Sequence, residues 1–250
     1  MLVGIPLLAQ ETTLELGGGV VWMSYPSYIG SNQQEQLLVP VPDLSYTSPV
    51  TTINKNGIKQ QLFDRDDLSL DLSLGGSLPV NSQNDPTRAG MPDLDLALEF
   101  GPRLNYQLYK NQTHHLNLRL PLRMVLTTDL RSIDYQGYLL SPNLKYQYRH
   151  QGLKFSYQTG PLWADQTYND YFYGVSPIYT TPQRHAYQAS SGYSGYQNSI
   201  SLEQRFGAWR GGIFLSHFDL HGVTFENSPL LSKKEALFVG SFLSYIFYTQ

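Results

Sequence analysis

The most regular feature of the sequence is an apolar residue at every second position. Successive side chains of a β-strand point to opposite faces, whereas a helix would spread the same residues around its axis. The pattern therefore predicts strands with one apolar and one polar face. Its apolar members are Leu68, Leu70, Leu72 and Leu74, then Leu94, Leu96, Leu98, Phe100, Leu104, Tyr106 and Leu108, then Leu116, Leu118, Leu120 and Leu122, and finally Leu144, Tyr146 and Tyr148.

The choice of leucine favours a membrane as the surroundings of these faces. Strands of soluble proteins prefer Val, Ile and Thr, whereas a lipid-facing strand can use any smooth apolar side chain. Alternating strands of about ten residues are long enough to cross a bilayer. The sequence therefore predicts an all-β fold, a transmembrane antiparallel up-and-down β-barrel that forms one domain over residues 1–250. The leucines at 68–74, 94–98 and 116–122 are predicted to face lipid.

We predict twelve strands, and merging the third and fourth would give ten. They are predicted at 12–23, 37–47, 49–54, 57–63, 67–75, 93–109, 114–126, 136–149, 153–163, 196–206, 209–222 and 236–248. Short turns at 110–113, 150–152 and 207–208 alternate with longer connections at 24–35, 76–92, 127–135, 164–195 and 223–235. Short periplasmic turns and long outer loops are typical of such barrels, and an even strand count puts both termini on the periplasmic side.

The polar faces of the predicted strands carry both signs of charge. If the leucines face lipid, these charges face the lumen, where an unpaired buried charge is costly. We therefore predict a structural network of ion pairs that fills the lumen, including a pair between Glu99 and Arg123; a charged conduction path is the alternative. The charged residues are Asp71, Asp95, Glu99, Arg103, Arg119, Arg123, Lys145, Arg149, Glu203 and Arg205.

Two further segments have distinctive composition. The segment 164–195 is rich in Tyr, Gly and Pro, and its aromatic residues indicate packing against another part of the molecule; it is long enough to fold over the barrel mouth and close it to bulk solutes. The run Gly17–Gly19 predicts a bend in the first strand.

Composition and charge exclude several classes of protein. The net charge of −3 gives no reason to expect a nucleic-acid partner. The 19 Tyr, 11 Phe and 3 Trp residues suit aromatic girdles at two membrane interfaces. The absence of cysteine excludes thiolate chemistry and disulfides. No apolar run is long enough for a transmembrane helix, and residues 1–10 are interpreted as the possible remnant of a signal peptide that ends near Ala9.

No residue set points to catalysis, a cofactor or a metal. His217 and His221 share one strand face but would lie about 13 Å apart at about 3.3 Å per residue. Ser216 and His217 are neighbours and therefore face opposite ways. We accordingly predict that the protein is not an enzyme, has no cofactor and has no catalytic, cofactor-binding or metal site; ligand- or partner-binding residues stay unassigned.

Several short motifs resemble those of the MipA/OmpV outer-membrane proteins, also called MltA-interacting proteins. The resemblance covers nearly the whole chain through the order and spacing of its motifs. They are Gly18–Val20, Tyr25–Pro26, Tyr28, Gly30–Ser31, Val39–Pro42, Tyr171–Val175, Arg184, Tyr187, Ala189, Gly192–Tyr193, Gly195, Leu220, Gly222, Ser228–Leu231 and Tyr245–Phe247. Asn227 stands where the family pattern has Asp.

The resemblance implies a non-enzymatic barrel in the outer membrane of a Gram-negative cell envelope. It implies a scaffold or adaptor for peptidoglycan remodelling that bridges a lytic transglycosylase and a peptidoglycan synthase, with outer-membrane lipid around it. The alternative is a transport or receptor barrel for small solutes or antibiotics.

Overall fold

The computed structural model describes residues 12–48, 51–54, 57–60, 63–65 and 67–250. The possible signal remnant at 1–10 lies outside the described residues. The elements are β1 Thr13–Pro26, β2 Gln34–Thr47, β3 Thr51–Asn54, β4 Gly57–Gln60, β5 Phe63–Arg65, β6 Leu68–Ser77, β7 Leu96–Lys110, β8 His114–Thr128, β9 Ile133–Leu140, β10 Asn143–His150, β11 Leu153–Ala164, α1 Gln166–Tyr173, β12 Gly192–Phe206, β13 Trp209–Asp219 and β14 Glu235–Thr249.

One antiparallel sheet contains all of these strands. Its order is β4-β3-β2-β1-β14-β13-β12-β11-β10-β8-β7-β6-β5, and β9 pairs with both β8 and β11. The two ends of this order, β4 and β5, follow each other in the chain, and β4 also lies beside β6. The sheet therefore closes on itself as an up-and-down barrel, as the alternation predicts.

The strand count depends on two interruptions. β9 and β10 keep the same register against β8 and against β11, so they form one strand broken at Ser141 and Pro142. Proline has no N–H for the ladder, and the chain bends there. β4 and β5 run in the same direction next to β6 and likewise count as one. The described residues thus form twelve strands, which confirms that prediction; the alternative of ten is wrong.

The outward face of the barrel is apolar, as predicted. Leu98, Leu120, Leu122 and Ile200 project outward with exposed side chains, whereas Asp71 and Ser73 project inward and are buried. Leu94 is an exception. It lies before β7, pairs with Val80 and is only 2% exposed, so the prediction that it faces lipid is wrong. At that height the chain is surrounded by loops of the barrel mouth rather than by membrane.

Exposed aromatic side chains form two bands on the outer surface. One lies near the short turns 111–113, 151–152 and 207–208, which we call the turn end; it includes Trp209, packed edge-on to Tyr245 with 5.0 Å between ring centroids. The other lies at the opposite, loop end and includes Trp163 and Tyr138. These positions match the aromatic girdles expected of a membrane barrel. In the described part of the chain, no helix has the length and apolar character needed to cross a membrane.

The glycine run in β1 allows close approach to β14. The register of β1 against β14 shifts between Leu16 and Gly17, at the start of the run where the sequence predicts a bend. A Cβ atom on Gly19 would lie 2.7 Å from the Cα atom of Ser244, closer than packed atoms allow. The absence of side chains here therefore lets the first and last strands pair.

The outward position of Leu120 and Ile200 can be tested by placing a charge in the lipid. Both are in the middle of long strands and are 39% and 45% exposed. We expect Leu120→Arg and Ile200→Arg each to lower the free energy of unfolding by about 2–4 kcal/mol, the cost of Arg near the bilayer midplane. Urea titrations of the protein folded in lipid vesicles measure this quantity.

Leu130→Arg is the matched control. Leu130 is 89% exposed in the loop between β8 and β9 and should tolerate the same change. Unchanged stability of both strand variants would show that the faces are assigned the wrong way round.

Candidate functional site: a plugged lumen

The loop end of the barrel holds a tightly packed apolar core. It is formed by four connections, 27–33, 78–95, 165–191 and 220–234, which together we call the plug. Tyr173 stacks on Phe225 with 3.7 Å between ring centroids and an angle of 9°. This core resembles that of a soluble domain, and it sits where an open channel would have its mouth. Its buried members are Tyr28, Val80, Leu94, Tyr173, Ala189, Leu220, Val223 and Phe225.

The helix α1 carries the plug into the barrel. Asp165 caps its first turn, because its carboxylate accepts a hydrogen bond from the backbone N–H of Tyr168 at 3.0 Å. Tyr168 then packs inside the barrel wall against a second apolar cluster, Ala97, Val125, Leu139, Leu162 and Ala164. Gly137, with φ +92, leaves the space that the Asp165 carboxyl occupies. The prediction that 164–195 packs against another part of the molecule is confirmed.

Two buried arginines tie the connections of the plug together. Arg184 donates to the carbonyl oxygens of Tyr179 at 2.9 Å, Thr87 at 2.8 Å and Ala89 at 3.1 Å. Arg88 donates to the carbonyl oxygens of Phe172 and Pro92, both at 3.2 Å. The two guanidinium groups bind backbone carbonyls from the connections 78–95 and 165–191 and therefore hold these connections in place.

Buried hydroxyl groups complete the plug. Tyr28 donates to the carbonyl oxygen of Leu230 at 2.6 Å, and Ser228 donates to the carbonyl oxygen of Tyr173 at the same distance. Burial raises the pKa of Tyr28 to about 12, so its hydroxyl stays protonated and keeps this bond. Most of the motifs that carry the family resemblance lie in these connections.

The predicted pair of Glu99 and Arg123 lies beneath the plug. Their Oε2 and Nη1 atoms are 2.8 Å apart, and Arg123 also donates to the Ser141 hydroxyl at 2.8 Å. A Cβ atom on Gly75 would overlap both partners, so glycine there makes room for the pair. The prediction is confirmed. Two more of the predicted lumen charges form a pair nearby, where Arg103 donates to both carboxylate oxygens of Asp71, at 2.8 and 3.0 Å.

A further ion-pair network involves residues that the sequence patterns do not single out. Arg210 contacts Asp43 at 3.0 Å and also Glu15, which in turn binds Arg205. Glu15, Asp43 and Arg210 belong to strands without leucine alternation, which is why they were missed. Their one sequence signal is a lone charge within an apolar or glycine-rich strand.

Of the remaining predicted lumen charges, two contact other polar side chains, two line a cavity, and one lies outside the lumen. Arg119 donates through Nε to the Asn143 side chain at 2.9 Å and through Nη2 to Gln158, and Glu203 lies 3.8 Å from Arg210. Lys145 and Arg149 line a cavity of about 1080 Å³ in the half of the barrel towards the turn end. Asp95 is not part of this network: it precedes β7, and its backbone N–H donates to the Tyr171 hydroxyl at 2.8 Å.

Within the described ranges, the acidic and histidine side chains form no metal-binding cluster. No group of three or more His, Cys, Asp or Glu side chains there could hold a metal ion. The Ser216 hydroxyl contacts the Ser199 hydroxyl at 2.8 Å, and His221 contacts Asp219 at 2.6 Å in an exposed turn. The notable chemistry of the site is therefore the charge distribution of the lumen.

A closed antiparallel sheet with an apolar outer face, two aromatic bands and a charged lumen defines an outer-membrane β-barrel protein. More specifically, the chain belongs to the MipA family: the family described as MltA-interacting protein MipA matches residues 16–247. No curated protein matches the chain.

Several solved structures are similar in overall arrangement. An outer membrane channel from Pseudomonas putida F1 has a TM-score of 0.48 at 11% identity, covering 98% of this chain and 100% of that chain. The outer membrane channel DcaP of Acinetobacter baumannii has a TM-score of 0.41 at 10% identity, covering 98% and 100%. The NanC porin has a TM-score of 0.40 at 10% identity, covering 93% and 98%. At these values nothing about the ligands of the present chain follows from them.

The coupling between Glu99 and Arg123 can be measured directly. Removal of one partner leaves the other charge buried, so we expect Arg123→Met alone to cost about 3–5 kcal/mol of unfolding free energy. In a double-mutant cycle with Glu99→Gln, we expect a coupling energy of about 1–3 kcal/mol. Denaturant titration in vesicles supplies the four values.

The exposed pair of Glu226 and Lys234 in the plug provides the comparison. Its coupling should be much smaller, because solvent screens it. A Glu99–Arg123 cycle that closes without coupling would mean that the two charges act independently in the folded barrel.

Proposed function

We propose that this protein is a non-enzymatic outer-membrane scaffold for peptidoglycan remodelling, and that its partners are a lytic transglycosylase and a peptidoglycan synthase. The family to which the chain belongs is named for interaction with MltA, a lytic transglycosylase. The observation that carries the proposal is the plug, because a mouth filled by a packed core suits a rigid anchor better than a channel.

The absence of catalysis in this proposal is supported by the arrangement of the nucleophile candidates. In the described residues, the hydroxyl of Ser216 contacts another serine rather than a histidine, and His217 lies opposite Asn198 and Leu237 in the neighbouring strands. A serine nucleophile needs a base within hydrogen-bond reach. The barrel therefore supplies position and rigidity, and its partners supply the chemistry.

The partner surface is placed at the turn end. Peptidoglycan enzymes work on the periplasmic side, and short turns face the periplasm in barrels of this class. The turns 111–113, 151–152 and 207–208 are exposed there and stand on strands that are fixed by the lumen ion pairs.

The absence of native cysteine makes this placement testable by site-specific labelling. We expect Gln112→Cys, labelled with polyethylene glycol maleimide, to lose binding to a purified lytic transglycosylase in detergent, because the polymer covers the turn end. Arg131→Cys carries the same label at the loop end and should bind as the unlabelled protein does. Both residues are exposed. Affinity is read from co-purification and from biolayer interferometry.

Failure of the unlabelled protein to bind the transglycosylase would remove the scaffold proposal. Loss of binding with the label at 131 but not at 112 would move the partner surface to the other end of the barrel.

A second experiment separates the scaffold from the transport alternative. In planar bilayers we expect the intact protein to give no stable openings, because α1 and the other parts of the plug fill the mouth. Replacement of 166–190 by a short Gly-Ser linker removes α1 and should produce measurable conductance. Replacement of the exposed turn 129–132 is the control and should not. Stable openings of the intact protein would favour transport.

A further inference from the structure

The cavity of about 1080 Å³ at the turn end has an unusual charge balance. Its lining contains eight Lys and Arg residues but only three Asp and Glu residues, counted among the described residues. The turn residues Gln151 and Gly152 belong to the lining, so the cavity reaches the turn end. The Glu99–Arg123 pair and Tyr168 lie towards the loop end and are not among its lining residues. We call this cavity the chamber.

The carboxylates around the chamber are already engaged by arginines. Asp71 binds Arg103, and Asp43 and Glu15 bind Arg210. These pairs neutralise part of the positive charge on the walls formed by β6 and β7 and by β13, β1 and β2. The positive charge outside these pairs lies on the wall formed by β8, β10 and β11.

Three cations of that wall form no ion pair with a carboxylate of the described residues. Among the described residues, no carboxylate oxygen lies within 4.0 Å of the charged nitrogens of Arg119, Lys145 or Arg149. Arg149 stands directly opposite Lys154 in the pairing of β10 with β11, and Lys154 also stands opposite Glu203 in the pairing of β11 with β12. Lys145 lies two positions along β10 from Asn143, the residue opposite Arg119. Like charges at such cross-strand positions repel each other and destabilise the sheet.

Neutral amides, rather than acids, orient the central cation. Arg119 is held through Nε by Asn143 and through Nη2 by Gln158, so its guanidinium group has a fixed direction. Asn117 and Gln147 line the same cavity beside Lys145 and can donate further hydrogen bonds. A fixed guanidinium, an ammonium and amide donors are the groups that proteins use to bind carboxylates and phosphates.

We propose that this chamber is a binding site for a small multivalent oxyanion that carries carboxylate or phosphate groups and enters from the turn end, with Arg119, Lys145 and Arg149 as its principal contacts. The volume of about 1080 Å³ slightly exceeds the upper limit, about 1,000 Å³, of pockets that hold drug-sized ligands, so a small oxyanion fits. Binding would relieve the repulsion on the β8–β10–β11 wall. This inference goes beyond the scaffold role and does not depend on it.

The experiment uses the full-length protein purified in an uncharged detergent. Citrate probes carboxylate binding and tripolyphosphate probes phosphate binding, each by isothermal titration calorimetry at constant ionic strength; spermine is the cationic control. We expect saturable binding of at least one anion, no binding of spermine, and a higher melting temperature in the presence of the anion. The anion that binds more tightly identifies the ligand chemistry.

Lys145→Gln tests the location of the site. We expect it to weaken anion binding by about tenfold or more, since it removes a charge-assisted contact. Lys234→Gln removes the same charge from the exposed plug surface and should bind as the wild type does. Without ligand, Lys145→Gln should also be at least as stable as the wild type, because one repelling charge is gone.

Two results would overturn the proposal. One is the absence of saturable binding of both anions to the wild-type protein. The other is equal weakening by Lys145→Gln and Lys234→Gln, which would indicate that the anions only screen the net charge. The melting-temperature comparison keeps the test decisive if a variant folds poorly, because a wild-type protein that gains no stability from either anion would contradict the relief of repulsion.

Discussion

Every backbone N–H and C=O group inside the hydrocarbon of a membrane must find its partner within the protein, and the other features of this structure depend on that constraint. A closed antiparallel sheet satisfies it without a free edge. Because side chains alternate, closure sends Leu120 and Ile200 to the lipid and their neighbours to the lumen. The glycines of β1 serve the same requirement, since at Gly17 and Gly19 a side chain would collide with β14 and disturb the pairing of the first strand with the last. A single break at Pro142 is tolerated because the strand resumes in the same register.

This geometry places charged side chains inside the lumen, where they are buried. Polar side chains that cannot face lipid must face each other, and the barrel pairs most of its acids with arginine, whose planar donors suit carboxylates. Glycine at position 75 is as much a part of the Glu99–Arg123 pair as the two charges are, because any side chain there would displace them. The lumen contains more basic than acidic side chains, so some of the bases form no ion pair with a described carboxylate. These remaining bases lie on one wall and towards one end of the barrel. Their charge is available to a ligand, whereas the charges within the ion pairs stabilise the fold.

The sequence predicts the features that depend on period-two alternation: the barrel, the twelve strands, the outward leucines and the pair between adjacent strands. It fails where the local surroundings change. Leu94 continues the alternation of β7 but lies at the mouth, where Val80 and the plug replace lipid. Asp95 has the right phase for the lumen, yet Tyr171 from a distant loop holds its backbone. The sequence patterns do not predict the pair of Arg210 and Asp43, because these two residues are 167 positions apart along the chain and no local pattern brings them together.

The two ends of the barrel differ in packing and in charge, and this difference bears on function. The loop end holds an apolar core that a soluble domain could use, with Arg184 and Arg88 bound to carbonyls. Such a core excludes water and fixes the long connections, so the outer end is built for rigidity. The turn end contains a cationic chamber. One molecule thus combines rigidity at one end with exposed turns around an accessible charged chamber at the other, and the Glu99–Arg123 pair lies between them. A partner bound at the turn end would therefore cover the chamber, and an anion held there would lie within reach of that partner.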